Sequence, residues 1–170
     1  MDDEQFWQTI DMTLQRSTQD TDEQAEALRD VLGGLPDAEI LDFHRRLVAA
    51  NHELYTWTHM AAVELVEGSL GDDGFTDFRT FVVATGRDSF GRFRDDPDTL
   101  ADILAHRGIE LAEPFGAVAD QVYFARTGRR MWDDGAGPLE PSEPPAGDPA
   151  ILDDATRLRQ QLPRLSARYR

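Results

Sequence analysis

The sequence predicts an all-α fold: a single compact multi-helix domain of about eight or nine helices spanning residues 1–170. Three observations lead there. Apolar residues recur at helical spacing along most of the chain. Runs of β-branched residues in period-two alternation are missing, which argues against a sheet. The gaps between apolar stripes carry helix punctuation, namely aspartate, threonine, glycine and proline.

Phe6, Trp7, Ile10 and Leu14 form the first stripe, with Asp2 or Asp3 as its cap. Leu28, Val31, Leu32 and Leu35 form the second, and Thr21 with Gln24 reads as its capping box. Pro36 opens a third helix that turns Ile40, Phe43, Leu47 and Val48 inward. The fourth carries Leu54, Trp57, Ala61, Ala62, Leu65 and Val66; it is the most apolar and is expected at the centre. Residues 69–74 read as a glycine–aspartate loop, and Phe75, Phe78, Phe81 and Val82 as a fifth helix stopped near Gly86. Phe90 and Phe93 mark a short sixth helix. After the Asp96–Pro97 break, Leu100, Ile103 and Leu104 mark a seventh. An eighth runs from Glu110 to Thr127 with Phe115, Val118, Val122 and Tyr123 inward, and stops at Gly128. Residues 133–149 are rich in proline, glycine and acid. Too few large apolar residues lie there to offset the ordering entropy, so a mobile loop is expected. Ile151, Ala155, Leu158 and Leu162 form a last helix, ended by Pro163.

Composition excludes whole classes of chemistry. The chain has no cysteine, which removes disulfides, thiolate metal sites and cysteine nucleophiles. Its 33 acids against 17 bases give a formal net charge of -16, so nucleic acid and anionic membranes are not expected as partners. Every basic side chain is arginine, a signature of a GC-rich genome. The start Met1-Asp2-Asp3-Glu4 is unlike a secretory signal, and no stretch reaches the roughly 18 apolar residues of a membrane span. A cytoplasmic bacterial protein is expected.

Several short motifs resemble one family in order. They are Phe6-Trp7 with Ile10-Asp11; Tyr55-Thr56-Trp57 leading to Ala61-Ala62; and Asp72-Asp73-Gly74-Phe75 with Phe78-Arg79, Gly86-Arg87 and Phe90. Asp96-Pro97-Asp98 and Pro163-Arg164-Leu165 with Ala167-Arg168-Tyr169 complete them. The pattern resembles the bacterial family called domain of unknown function 4240 over nearly the whole chain. The resemblance implies no activity, substrate or cofactor. This chain departs from the family pattern at Thr58, His59, Leu70, Gly71 and Ser166.

The candidate ligand or partner residues are Trp57, His59, Asp72, Asp73, Arg79 and Arg87. The Asp72–Asp73 segment reads either as an oxygen-rich polar-ligand site or as a turn that starts a helix. Thr80 stands where a calcium loop would close with glutamate. Arg79 and Arg87 fit either a structural ion-pair network with those aspartates or a grip on an anionic group. His52 and His59 lie seven apart, a rise of about 10.5 Å on one helix, too far to share a metal comfortably. Burial as a neutral side chain is the plainer reading of His59. Gly68, Gly71 and Gly74 lack the preceding strand of a phosphate loop, and Ser89 misses the nucleophile-elbow spacing. Trp7 and Trp57 read as core, whereas Trp132 reads as body packing or a contact site. The basic C-terminus, Arg157, Arg159, Arg164, Arg168 and Arg170, is expected to pack on the acidic body.

These readings assign no catalytic residue, no metal and no cofactor. The expected function is a non-catalytic binding or regulatory interaction module with a protein partner or a small molecule. The alternative is a small-ligand binder or enzyme using the Asp, Arg and Trp side chains of residues 57–87.

Overall fold

The structure is a computed structural model that describes residues 1–18, 20–106, 109 and 111–169, the side chain of His106 excepted. Ten α-helices run through these residues: α1 (Asp3–Arg16), α2 (Thr21–Gly33), α3 (Asp37–Glu53), α4 (Trp57–Glu67), α5 (Gly71–Ala84), α6 (Arg87–Asp95), α7 (Leu100–His106), α8 (Glu113–Thr127), α9 (Ala155–Gln161) and α10 (Pro163–Tyr169). Short 3₁₀ turns sit at Pro97–Thr99, Met131–Asp134 and Pro149–Ile151. Among the described residues there is no strand, only a lone parallel bridge between Thr56 and Ala146. No helix among them is long and apolar enough to cross a membrane. The all-α expectation holds, with one helix more than the upper figure.

Local chemistry sets the helix starts. Asp2 caps α1 by accepting the Gln5 N–H at 2.8 Å, and the Asp2 N–H donates back to Gln5 Oε1 at 2.7 Å. The box expected at Thr21 is replaced. Asp20 caps α2, and Gln24 is buried, its amide donating to Thr13 Oγ1 at 3.0 Å and to the Ala84 carbonyl at 2.8 Å. Gln24 thus joins α1, α2 and the end of α5.

One apolar core holds the helices together. Its centre is α5, not the Trp57 helix: Phe75, Phe78, Phe81, Val82 and Val83 are all buried there, and α5 packs on both α3 and α8. On α4 only His59 and the small residues Ala61, Ala62 and Val63 are buried, while Trp57, Met60, Leu65 and Val66 are half-covered. High mean hydropathy placed α4 at the centre; side-chain volume places α5 there. The α4 face is covered instead by α10 and the Pro149–Ile151 turn.

Two further expectations change. The loop read at 69–74 is mostly helix, since α5 begins at Gly71 and takes Asp72 and Asp73 into its first turn, where acids favour the helix dipole. Pro163 does not end the last helix but begins α10, the first-turn position that tolerates a missing N–H. Helix α8 starts at Glu113; the start read at Glu110 and the arginine at 170 lie outside the described residues.

Residues 133–149 are tied to the body at several points. The Ala136 N–H donates to the Met131 carbonyl at 3.0 Å, Pro145 is buried, and Ala146 exchanges bonds with Tyr55 and Trp57 at 3.0 and 2.9 Å. Leu139 docks beside Gly116, where a Cβ would stand 3.1 Å from its Cδ1. Of the C-terminal arginines, Arg164 pairs with Asp102 and Arg157 with Asp148, whereas Arg159 turns back to the Ala155 carbonyl of its own helix and Arg168 reaches the Ala101 carbonyl.

Candidate functional site

The residues singled out from the sequence fall in separate places. Trp57 is the first residue of α4, half-buried, with its N–H on the Ala146 carbonyl. His59 is buried between the Thr56 hydroxyl at 2.7 Å and the Phe93 carbonyl at 3.1 Å, edge-on to the Phe93 ring. A carbonyl only accepts, so Nε2 carries the hydrogen and Nδ1 accepts from Thr56. Burial pushes the His59 pKa down to about 4, which leaves it neutral at physiological pH. His52 and His59 do not share a helix, because α3 ends before Tyr55.

Asp72 and Asp73 point into solvent from the first turn of α5. Arg79, on the same helix, is fully buried and does not pair with them. Its Nε donates to the Phe75 carbonyl at 3.3 Å, its NH1 to the Asn51 carbonyl at 2.9 Å and its NH2 to Thr76 Oγ1 at 2.8 Å. The guanidinium lies between the Tyr55 ring at 4.6 Å and the Phe75 ring at 5.0 Å. Burial lowers its pKa to about 10, so the charge persists at neutral pH. Arg87 turns the other way and pairs with Asp3 at 3.0 Å and Glu4 at 2.9 Å. The constellation of residues 57–87 therefore does not converge on one pocket. No group of three or more histidines and carboxylates among the described residues is placed to hold a metal ion.

Two exposed aromatic rings joined by an arginine lie at and beyond the end of α8. Trp132 is 63% exposed and Phe124 44%. Arg130 lies over both rings, 4.5 Å from the Phe124 centroid and 5.3 Å from that of Trp132, and its NH1 pairs with Asp120 at 2.7 Å. Beside Trp132 opens a pocket of about 450 Å³, walled mainly by the apolar Met131, Ala136 and Pro138. His44 closes its inner end: Nε2 donates to the Gly137 carbonyl at 3.0 Å, and burial lowers its pKa. The sequence flagged Trp132 but missed Phe124 and Arg130. The available signal was position, because Phe124 falls off the stripe of Phe115, Val118 and Val122.

A second concave surface, of about 420 Å³, separates α1, α3 and α6. Arg46, Arg87 and Arg94 line it together with Asp3 and Glu53, over Phe6, Trp7 and Phe90. Arg46 approaches Asp3 at 3.7 Å, and Arg94 meets Glu53 at 3.3 Å. Of these residues the sequence singled out only Arg87 as a site candidate. Arg46 and Arg94 carry no local motif and come to line one cleft only through the packing of α3 on α1 and of α6 on α5.

A family model described as a protein of unknown function (DUF4240) matches residues 1–125. No curated protein and no solved structure matches the chain.

Proposed function

Because the chain belongs to the DUF4240 family of proteins of unknown function, whose description carries no activity to transfer, we propose its function from geometry alone. It is a non-catalytic interaction module that docks a partner protein on the Trp132 face. One observation carries this reading: Trp132 stays exposed at the mouth of a mainly apolar pocket, and Arg130 bridges it to the exposed Phe124. Tryptophan and arginine dominate binding energy in protein interfaces, and exposed contiguous apolar surface marks contact sites. The partner offers an apolar side chain to the pocket and covers the two rings. Trp132 and Arg130 lie beyond residue 125, outside the family match, whereas Phe124 and His44 fall within it. The lysine-free, cysteine-free and acidic composition supports a bacterial cytoplasmic setting, and the net charge of -16 argues against nucleic acid as partner.

The alternative, a small-ligand binder or enzyme built on Trp57, Asp72, Asp73, Arg79 and Arg87, has weaker support. Two of those side chains face solvent, one is buried among neutral groups, and Arg87 points away from the others, toward Asp3 and Glu4 of α1.

The test is site-specific photo-crosslinking in the host cell. A crosslinker at Trp132 captures a defined protein that one at the exposed Glu26, on α2, does not. Trp132→Ala, introduced with the crosslinker moved to Phe124, abolishes that capture. Identical products from positions 132 and 26 would overturn the reading.

A further inference from the structure

The cleft between α1, α3 and α6 has the chemistry of a ligand seat, and it is independent of the Trp132 face. We propose that it binds a small carboxylate carrying a flat apolar body, and that the Asp3 side chain holds the carboxylate's position in the fold described here.

Charge is the first argument. Three arginines line the cleft; among the described residues Arg87 is met by Asp3 and Glu4 and Arg94 by Glu53 and Asp95, whereas Arg46 has only Asp3, at 3.7 Å, and so is the guanidinium least matched by acid. The second is convergence. Arg46 comes from α3 and Arg87 from α6, yet both reach the one carboxylate of Asp3, at 3.7 and 3.0 Å. Two guanidiniums from different helices that meet on a single carboxylate define a seat for that group, with the planar donor geometry arginine supplies. Asp3 is exposed, and α1 keeps its Asp2 cap and the neighbouring Glu4 without it, so Asp3 yields the seat at small cost.

Space is the third argument. Gly91 borders the cleft from α6, and nothing lies within 4 Å of where its Cβ would stand. Glycine inside a helix costs about 1 kcal/mol relative to alanine. Here the missing side chain leaves the cleft open over the edges of Trp7 and Phe90, whose ring centroids are 5.0 Å apart and tilted by 40°. Edges of buried aromatic rings beside a cationic seat suit a ligand with a flat apolar body and one negative end.

The experiment follows the backbone amides of Phe90 and Gly91 by NMR at constant ionic strength, with benzoate, acetate and benzyl alcohol as probes. Benzoate gives saturable shifts, and acetate or benzyl alcohol alone binds about tenfold more weakly or less. Asp3→Asn removes the internal competitor and tightens benzoate binding by about threefold or more. Gly91→Leu fills the space and abolishes the shifts while leaving the helix at least as stable. Arg87→Gln weakens binding with the circular dichroism spectrum unchanged. Absence of saturable benzoate shifts in both the parent and Asp3→Asn overturns the site. Binding of equal strength in Asp3→Asn and the parent overturns the role of Asp3, and acetate binding as tightly as benzoate overturns the apolar body.

Discussion

Asp98 caps a helix that lies 67 residues further along the chain: its Oδ1 accepts the Leu165 backbone N–H at 2.9 Å, while Oδ2 accepts that of Arg164, also at 2.9 Å. The carboxylate is almost fully buried. One side chain thereby satisfies two donors at the start of α10, a helix whose first residue, Pro163, has no N–H of its own. Asp98→Ala strands both donors and is expected to cost about 2 kcal/mol. The urea midpoint falls and tryptic cleavage after Arg164 quickens. An unchanged midpoint and cleavage rate would show that α10 is held by other contacts.

Arg79 supplies a second test. Its fork spans the Asn51 and Phe75 carbonyls and the Thr76 hydroxyl while its plane rests between two rings. A lysine keeps the charge but neither the plane nor the fork. Arg79→Lys is therefore expected to lose about 2–3 kcal/mol in urea unfolding. A lysine variant as stable as the parent would mean that charge alone suffices at this position.

Acid sensitivity follows from His59. Its pKa in the fold is about 4, against an ordinary value of 6.5, so the unfolded chain binds the proton first. The stabilising contribution is complete well above pH 6.5 and is lost as pH falls toward 4, with a span on the order of 3 kcal/mol. Burial lowers His44 in the same direction. Urea midpoints at pH 7 and pH 5 measure the slope, which flattens in His59→Gln. An equal slope in that variant assigns the acid loss elsewhere.

Asp77 has the opposite sign. Burial, with Glu113 and Asp73 nearby, raises its pKa from 3.8 to about 6. The fold then holds the proton more tightly than the unfolded chain does, so stability declines as pH rises from about 4 to about 6 and stays lowered above that. Asp77→Asn is expected to raise the urea midpoint at pH 7.5 and to leave it unchanged at pH 3.5. A gain of the same size at both values would point to packing instead of charge.

The helices were legible because their stripes are long and repeat at the helical period, as with Phe6, Ile10 and Leu14 or Phe75, Phe78 and Val82. What the sequence hid was tertiary. Pro163 permits both a helix end and a helix start; Asp98, distant in sequence, decides between them. Asp72 and Arg79 share a nominal helix face, but seven residues put them about 10.5 Å apart along the axis, and Arg79 finds its partners at Phe75 and Thr76 instead. The Trp132 face escapes periodicity because it is built from a 3₁₀ turn, an off-stripe phenylalanine and an arginine between them.

The two ways in which this chain holds its arginines respond oppositely to ionic strength. The pairs that Arg87, Arg94 and Arg164 make with carboxylates stand in water and fade as salt is added. The Arg79 clamp of rings and carbonyls is out of reach of mobile ions and keeps its strength. Salt also screens the mutual repulsion of a body at net charge -16. In brine, the outer lattice of this protein loosens while its α3–α5 joint stays shut.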